Sequence, residues 1–510
     1  MPRGPAIGRE EPVAGNLVLR QGTEEDLMRI LYLDLDTLRP DHLGCYGYHR
    51  QTSPNIDWIA SEAVRFENYY ASDVPCLPSR SALFSGRLGI HNGAVGHGGT
   101  AADPKLEGYA RGFRNSPDRL PWMGCLARQG IYPVSISPFA ERHSAWHFCA
   151  GFREMVNPGK GGMEIADDVT PLALDWIERN AKGDGWFLQV NYWDPHTPYR
   201  TPKEYGNPFQ DEPPPDWPDE DTIRAHYEGY GPHSAHEPGG YGEEPLHRWP
   251  RVPEEIASRE DFRRWIDGYD VGIRYMDDHI GRLLSAFDDA GVLDDLVIFV
   301  SADHGENQGE LNVYGDHQTA DQPTCRVPMI VRWPGIAEPR VNRALHYAVD
   351  WAATTVELAG GSVPELWDGR SFAKSFRENR EAGREYLVVS QCAWSCQRAV
   401  RWGPWLLVRT YHDGLKDFPE IMLFNIENDP HETKDLADER PDVVAQGVAL
   451  LERWHGEMME TAQDATDPLW TVMREGGPFH TRGKLAAYCR RLRETGRAHH
   501  AEALERRHKE

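Results

Sequence analysis

Short apolar runs rich in β-branched and aromatic residues alternate along the chain with longer stretches in which apolar positions recur every three or four residues. That alternation predicts a largely parallel sheet covered by helices on both faces. Strands are predicted at Ile30–Leu35, Val134–Ser137, Trp186–Tyr192, Leu296–Ser301 and Pro328–Trp333. Between the third and fourth, Tyr269, Ile273, Met276, Ile280, Leu283 and Phe287 form one apolar helix face, and Gly291 ends the helix. After about residue 380 the texture changes to short strands at Tyr386–Ser390, Gln397–Trp402, Trp405–Thr410 and Met422–Asn425, joined by Gly-Pro and His-Asp-Gly turns. The expected fold is therefore α/β, with a large mixed, mostly parallel sheet between helices and a smaller C-terminal antiparallel-sheet subdomain.

This pattern divides the chain into an extension over 1–28, a main domain over 29–380, a small-sheet subdomain over 381–475 and a helical tail over 476–510. Residues 203–260 break the rhythm with Pro213-Pro214-Pro215 and several Gly-Tyr pairs, and read as a long surface insertion of the kind that shapes a cleft. The tail is locally basic at Arg490, Arg491, Arg493, Arg506 and Arg507, the pattern of a solvated surface helix. The polar segment before Met28 lacks the apolar stretch of a secretory signal, so the expectation is a cytoplasmic protein, with Met28 an alternative start.

Composition narrows the function. The 510 residues carry 55 lysines and arginines against 80 aspartates and glutamates, a net charge of −25. A body so acidic repels nucleic acid and anionic membranes, and no apolar run is long enough to span a bilayer. The eight cysteines are too scattered for a disulfide framework, and Cys392 and Cys396 stand without a second pair that would indicate zinc.

Chemistry concentrates where predicted strands end, the place where open α/β sheets collect ligands. The first strand stops in Asp34-Leu35-Asp36. Asp36 at its tip suits a metal, and alternation puts Asp34 on the same face; the alternative is that Asp34 or Asp41 caps the next helix. The fourth strand runs into Asp303-His304-Gly305-Glu306, an oxygen-rich set fit for a hard cation. A third cluster, Cys76-Leu77-Pro78-Ser79-Arg80, opens an apolar helix whose N-terminus, with Arg80, favours a thiolate; a structural cysteine is the plain alternative.

Together these segments resemble the type I sulfatases of the alkaline phosphatase superfamily. Cys76-Leu77-Pro78-Ser79-Arg80, with Leu83 and Gly86-Arg87, matches the signature C-x-P-S-R-x-x-L-x-[ST]-G-R. Asp36-Thr37-Leu38-Arg39 and Asp303-His304-Gly305-Glu306 resemble the two metal motifs, and Asp194-Pro195-His196-Thr197-Pro198-Tyr199 the substrate-side histidine segment. The resemblance runs over roughly residues 29–440 and implies an alkaline-phosphatase-like fold and a sulfate ester hydrolase. It further implies that a maturation enzyme oxidises Cys76 to formylglycine, whose hydrate attacks sulfur. A divalent cation, Ca²⁺ first, with Mg²⁺ and Mn²⁺ as alternatives, would be held by Asp36, Cys76, Asp303 and His304. Arg80 would order the nucleophile and the metal side, and His196 would protonate the leaving alkoxide or help bind sulfate.

Three positions depart from the family pattern. Thr37 stands where many members have a second aspartate, with Asp34 the available substitute. Ser137–His143 replaces a lysine-tryptophan-histidine segment, which leaves Arg142 and His143 as stand-ins. Asp316 occupies the place of a sulfate-binding lysine, so either His317 takes over the anion contact, or the substrate carries its own positive or polar group, or Asp316 turns away. The reading is a sulfatase acting on a small sulfated substrate, expected to be a saccharide, because a −25 body disfavours long polyanions. The alternatives are a phosphonate monoester or phosphodiester hydrolase, which shares the metal pair, and a catalytically silent glycan-binding protein should Cys76 stay unmodified.

Overall fold

The computed structural model describes residues 28–105, 120–242 and 246–508. The extension before Met28 therefore lies outside the described residues.

The large sheet has eight strands in the order Arg340–Tyr347, Val64–Tyr70, Met329–Arg332, Val297–Ser301, Arg29–Leu35, Trp186–Tyr192, Tyr132–Ile136, Glu154–Val156. Met329–Arg332 runs antiparallel to both neighbours and all other pairings are parallel, so the sheet is mixed and mostly parallel. The predicted strands appear within about two residues of their expected ends. Val64–Tyr70 and Arg340–Tyr347, whose patterns are more polar, were not among them.

The apolar runs are explained by burial on both faces. Trp186 stacks on Phe287 of helix Arg259–Asp289, whereas its neighbour Phe187 meets Trp122 of helix Trp122–Arg128. Adjacent strand residues point to opposite faces, so these helices cover opposite sides. Helix Arg259–Asp289 begins where the Ser258 side chain accepts from the Asp261 N–H and ends before Gly291, at φ +74°. Among the described residues no helix is long and apolar enough to cross a membrane.

The small sheet follows the order Ile421–Asn425, Trp405–His412, Cys396–Trp402, Leu387–Gln391, Asp73–Val74. Its last strand comes from the main domain and pairs in parallel, Ser390 beside Asp73 and Gln391 beside Val74. The subdomain is thus not purely antiparallel: it anchors the segment that leads directly into Cys76.

The tail is solvated on its basic face only. Helices Leu485–Glu494 and Ala498–Arg507 bury Leu485, Tyr488, Leu492 and Leu504 against Tyr230 and Tyr241 of the insertion and against Leu415. Glu237 of the insertion is fully buried; it accepts from Tyr488 Oη and Arg491 Nε, both at 2.9 Å, and pairs with Arg497. Arg490, Arg493, Arg506 and Arg507 are exposed, as the pattern suggested, whereas Arg491 and Arg497 reach this buried carboxylate, a partner invisible in local sequence. Glu237→Gln would leave two guanidiniums without their counter-ion at a buried site, a loss of about 3 kcal/mol. A lowered urea midpoint, with earlier protease release of the tail, would register it.

Candidate active site

The ends of the three adjacent parallel strands Arg29–Leu35, Trp186–Tyr192 and Val297–Ser301 bring Asp36, His196 and Asp303 to one edge of the sheet. Onto that edge comes helix Cys76–Ser85, buried over its first nine residues, with Cys76 in its first turn. Gly86 closes this helix at φ +69°, and a side chain there would run into the Trp367 ring.

Arg80 is the hub. It is 1% exposed. Nε and Nη2 each lie 3.1 Å from an Asp34 oxygen, Nη2 lies 3.2 Å from Asp36, and Nη1 pairs with Asp303. Three buried carboxylates thus share one guanidinium, which leaves the cluster short of positive charge. Burial and Asp303 raise the Asp36 carboxyl well above its ordinary range, while Arg80 outweighs burial at Asp303 and holds it low. Neither Asp36 oxygen has a hydrogen-bond partner, although the residue is fully buried.

One donor atom from each of Asp36, Cys76, Asp303 and His304 lies within 4.8 Å of the others, the set expected from sequence. The Nδ1 of His304 faces the Gly305 carbonyl at 2.8 Å, so it carries the proton and leaves a lone pair on Nε2, 3.0 Å from Cys76 Sγ. Orphaned carboxylate oxygens, excess negative charge and an oriented imidazole fit a divalent cation. Asp34 is engaged elsewhere: besides Arg80 it accepts from Gln189 Nε2 at 2.8 Å, so it steadies the arginine and neither replaces the missing aspartate nor caps a helix. The Cys76 thiol is pushed well up by burial, then by Asp36 and Asp303, against the pull of Arg80. The expected thiolate is overruled first by burial and then by the two carboxylates beside it.

Arg142 and Arg200 each donate from Nη1 to the same carbonyl, Gly162 O, at 3.1 Å. Neither has a carboxylate partner among the described residues. Arg142 also lies over the Trp193 ring at 4.8 Å, and its charge reaches Asp36, Cys76 and His196. Arg200 is held down to about 10 by burial and by Arg142. Two cations converging on one neutral oxygen make a site for an anion. Arg200 was missed in the sequence; its place four residues after His196 was the available signal.

Imidazoles continue from the metal-side cluster. The His317 ring lies 4.2 Å from His304 and 5.6 Å from His196, which stacks on Trp193 at 5.5 Å. His143 sits 6.4 Å from Trp193 and 5.0 Å from His97. His196 Nδ1 lies 2.6 Å from the Thr197 carbonyl, so its proton is there and Nε2 bears the lone pair. Burial, Arg142 and His317 hold this imidazole neutral. Asp316 does not turn to solvent: its Oδ2 lies 3.0 Å from His233 Nε2 and its Oδ1 accepts from the His317 N–H at 2.7 Å.

The sulfatase family model matches residues 29–362, about two thirds of the chain, and a second, described as N-sulphoglucosamine sulphohydrolase, C-terminal, matches 309–454. The chain belongs to the sulfatase family. It is 28% identical to the iduronate 2-sulfatase of Mus musculus over 362 residues, 62% of this chain but 61% of that enzyme, so the match spans about three fifths of the mouse protein. It is 25% identical to the choline-sulfatase of Rhizobium meliloti over 475 residues, 82% of this chain and 86% of that one. The fold matches BT4656, solved with its substrate D-glucosamine-2-N,6-O-disulfate, at TM-score 0.66 and 19% identity, over 87% of this chain and 99% of that one. It also matches the phosphonate monoester hydrolase of Silicibacter pomeroyi at TM-score 0.63 and 19% identity, over 86% and 96%. Both structural likenesses establish the alkaline-phosphatase-like architecture of this sulfatase.

Arg80→Ala would strand three buried carboxylates and cost about 3–5 kcal/mol of stability. Arg80→Lys, a point charge that cannot bridge all three, should recover part of the loss in chemical denaturation.

Proposed function

We propose that this sulfatase hydrolyses the sulfate ester of a small substrate, with a saccharide the favoured class, to an alcohol and inorganic sulfate. The observation that carries the reading is the pair Arg142 and Arg200, two guanidiniums without carboxylates converging beside the Cys76 cluster. They occupy the role left open by the absent lysines, with Arg142 as expected and Arg200 in place of the residue at 316.

The thiol of Cys76 is held protonated, which makes it a poor nucleophile as it stands. Its conversion to formylglycine supplies the attacking oxygen, and the family resemblance supports that conversion. A divalent cation, Ca²⁺ in this reading because the donor set is oxygen-rich, would be held by Asp36, Asp303, His304 and residue 76, and supplies acidification of the nucleophile and charge neutralisation at sulfate. Arg80 keeps Asp303 ionised and aligns both metal-side carboxylates. His196 must take up a proton at Nε2 before it can act as an acid, because Nδ1–H is committed to the Thr197 carbonyl. The negative charge of a bound sulfate ester next to it favours that uptake. His317 and His143 complete the anion side with buried nitrogens that have no other partner.

The peptide containing Cys76, from active native protein, should show the mass deficit between –CH₂SH and –CHO; an intact thiol in active enzyme would falsify the formylglycine step. Cys76→Ala and Asp303→Ala should abolish turnover with the fold intact. Saturating Ca²⁺ should raise the melting temperature of the wild type, by the equivalent of about 2.7 kcal/mol at a hundredfold excess over Kd, and Asp36→Ala should remove most of that shift. Arg200→Met should raise KM for sulfate esters roughly tenfold or more, in line with the loss of a charge-assisted hydrogen bond. A large preference for phenyl phosphonate esters over p-nitrophenyl sulfate would transfer the same machinery to phosphonate hydrolysis.

A further inference from the structure

The family models end at residue 454, yet a residue well beyond that point reaches the imidazole wall. His480 lies between helices Pro468–Arg474 and Leu485–Glu494. Its Nε2 is 3.0 Å from Nδ1 of His97, and its ring stacks on Trp394 at 4.5 Å with the planes 19° apart. Trp394 meets the edge of His233 at 5.3 Å, and His233 holds Asp316, which in turn accepts from the His317 backbone. The row that left the metal-side cluster through His317, His196 and His143 therefore returns to His317, a closed circuit of contacts.

His480 is held in place from two sides. Its N–H donates to the Ala393 carbonyl at 3.1 Å, and its own carbonyl accepts from Tyr241 Oη at 3.2 Å. Tyr241 belongs to the insertion, which the tail helices clamp through Glu237. The insertion, which lies within the span of the sulfatase model, and the tail, which lies beyond both models, thus converge on one imidazole.

Along this arc, Nε2 of His97 and Nδ1 of His233 are buried without a hydrogen-bond partner, as is Nδ1 of His317 at its end. Buried polar nitrogens left unsatisfied in a folded protein mark where a ligand or water completes the bonding. The arc offers hydrogen bonds with little charge. Burial keeps His97 neutral, and His480 is held down to about 4. Asp316 already has both oxygens engaged and so offers no free carboxylate to a quaternary ammonium, and one Trp394 face is covered by His480. Arg142 and Arg200 belong to the sulfate side and are not spare for a substrate carboxylate.

We propose that His480 and His97 form the leaving-group subsite, and that this wall selects a neutral, hydroxyl-bearing alcohol, an uncharged sugar ring, over a uronate or a quaternary ammonium alcohol. The inference rests on the sulfate-ester reading for the bond cleaved, but not for the shape of the wall.

The test is kinetic, on the full-length matured enzyme, with a panel of monosulfated neutral hexoses, a sulfated uronate, choline sulfate and p-nitrophenyl sulfate. The wild type should prefer a neutral hexose sulfate. In His480→Ala the ratio of kcat/KM for that hexose sulfate to kcat/KM for p-nitrophenyl sulfate should fall about tenfold, mainly through KM, as expected for lost hydrogen bonds to hydroxyls. His480→Gln should restore part of the ratio. Tyr241→Phe, which keeps the ring and removes the hydroxyl that donates to the His480 carbonyl, should lower it less and serves if the alanine variant folds poorly. An unchanged ratio in the folded variants, or a wild-type preference for the uronate or choline ester, overturns the proposal. Should the enzyme cleave only phosphonate esters, the same ratio is read between a hexose phosphonate monoester and p-nitrophenyl phenylphosphonate, so failure of the reaction reading and failure of the subsite are told apart.

Discussion

One guanidinium organises the site. Arg80 links Asp34 and Asp36 at the end of one strand to Asp303 at the end of its neighbour, and it rides on the helix that begins with Cys76. Buried carboxylates at this spacing repel one another in a medium that screens poorly. Without the arginine, their protonation or separation would undo the arrangement in which residue 76 faces His304. The same shortage of positive charge that strains the cluster makes it receptive to a divalent cation, so stability and ligand affinity have one cause.

A second electrostatic arrangement has the opposite sign. Arg142 and Arg200 meet at the carbonyl of Gly162, and their excess positive charge is the complement of a sulfate group. An acidic body with a net charge of −25 thus contains a small region where two guanidiniums meet, opposed at Arg200 chiefly by Asp194. Screening confines that region to the site itself.

The third layer is structural support brought from far along the chain. The small sheet grips Asp73–Val74 immediately before Cys76, and the tail fastens the insertion through Glu237, placing His480 beside His97. The residues of the metal-side cluster are held by the main sheet and the helix that starts at Cys76, whereas His97 and His480 sit on connecting segments outside the large sheet.

Much of this was legible in the residues. Continuous apolar runs stopping in acid named the central strands and Asp36, Asp303 and His304, because a buried strand and its polar tip are local features of sequence. The signature beginning at Cys76 named the helix and Arg80. Charge state and partnership were not legible, because they depend on distances between segments far apart in the chain. The structure alone decided that Asp34 serves Arg80, that the Cys76 thiol is raised and not lowered, and that Asp316 is taken up by His233. It also decided that the tail fastens the insertion through Glu237, that Arg200 shares the Gly162 carbonyl with Arg142, and that His480 meets His97. Local pattern determines which elements form and where they end; which charge neutralises which is settled only when the elements pack, since Coulomb energy depends on separation in space.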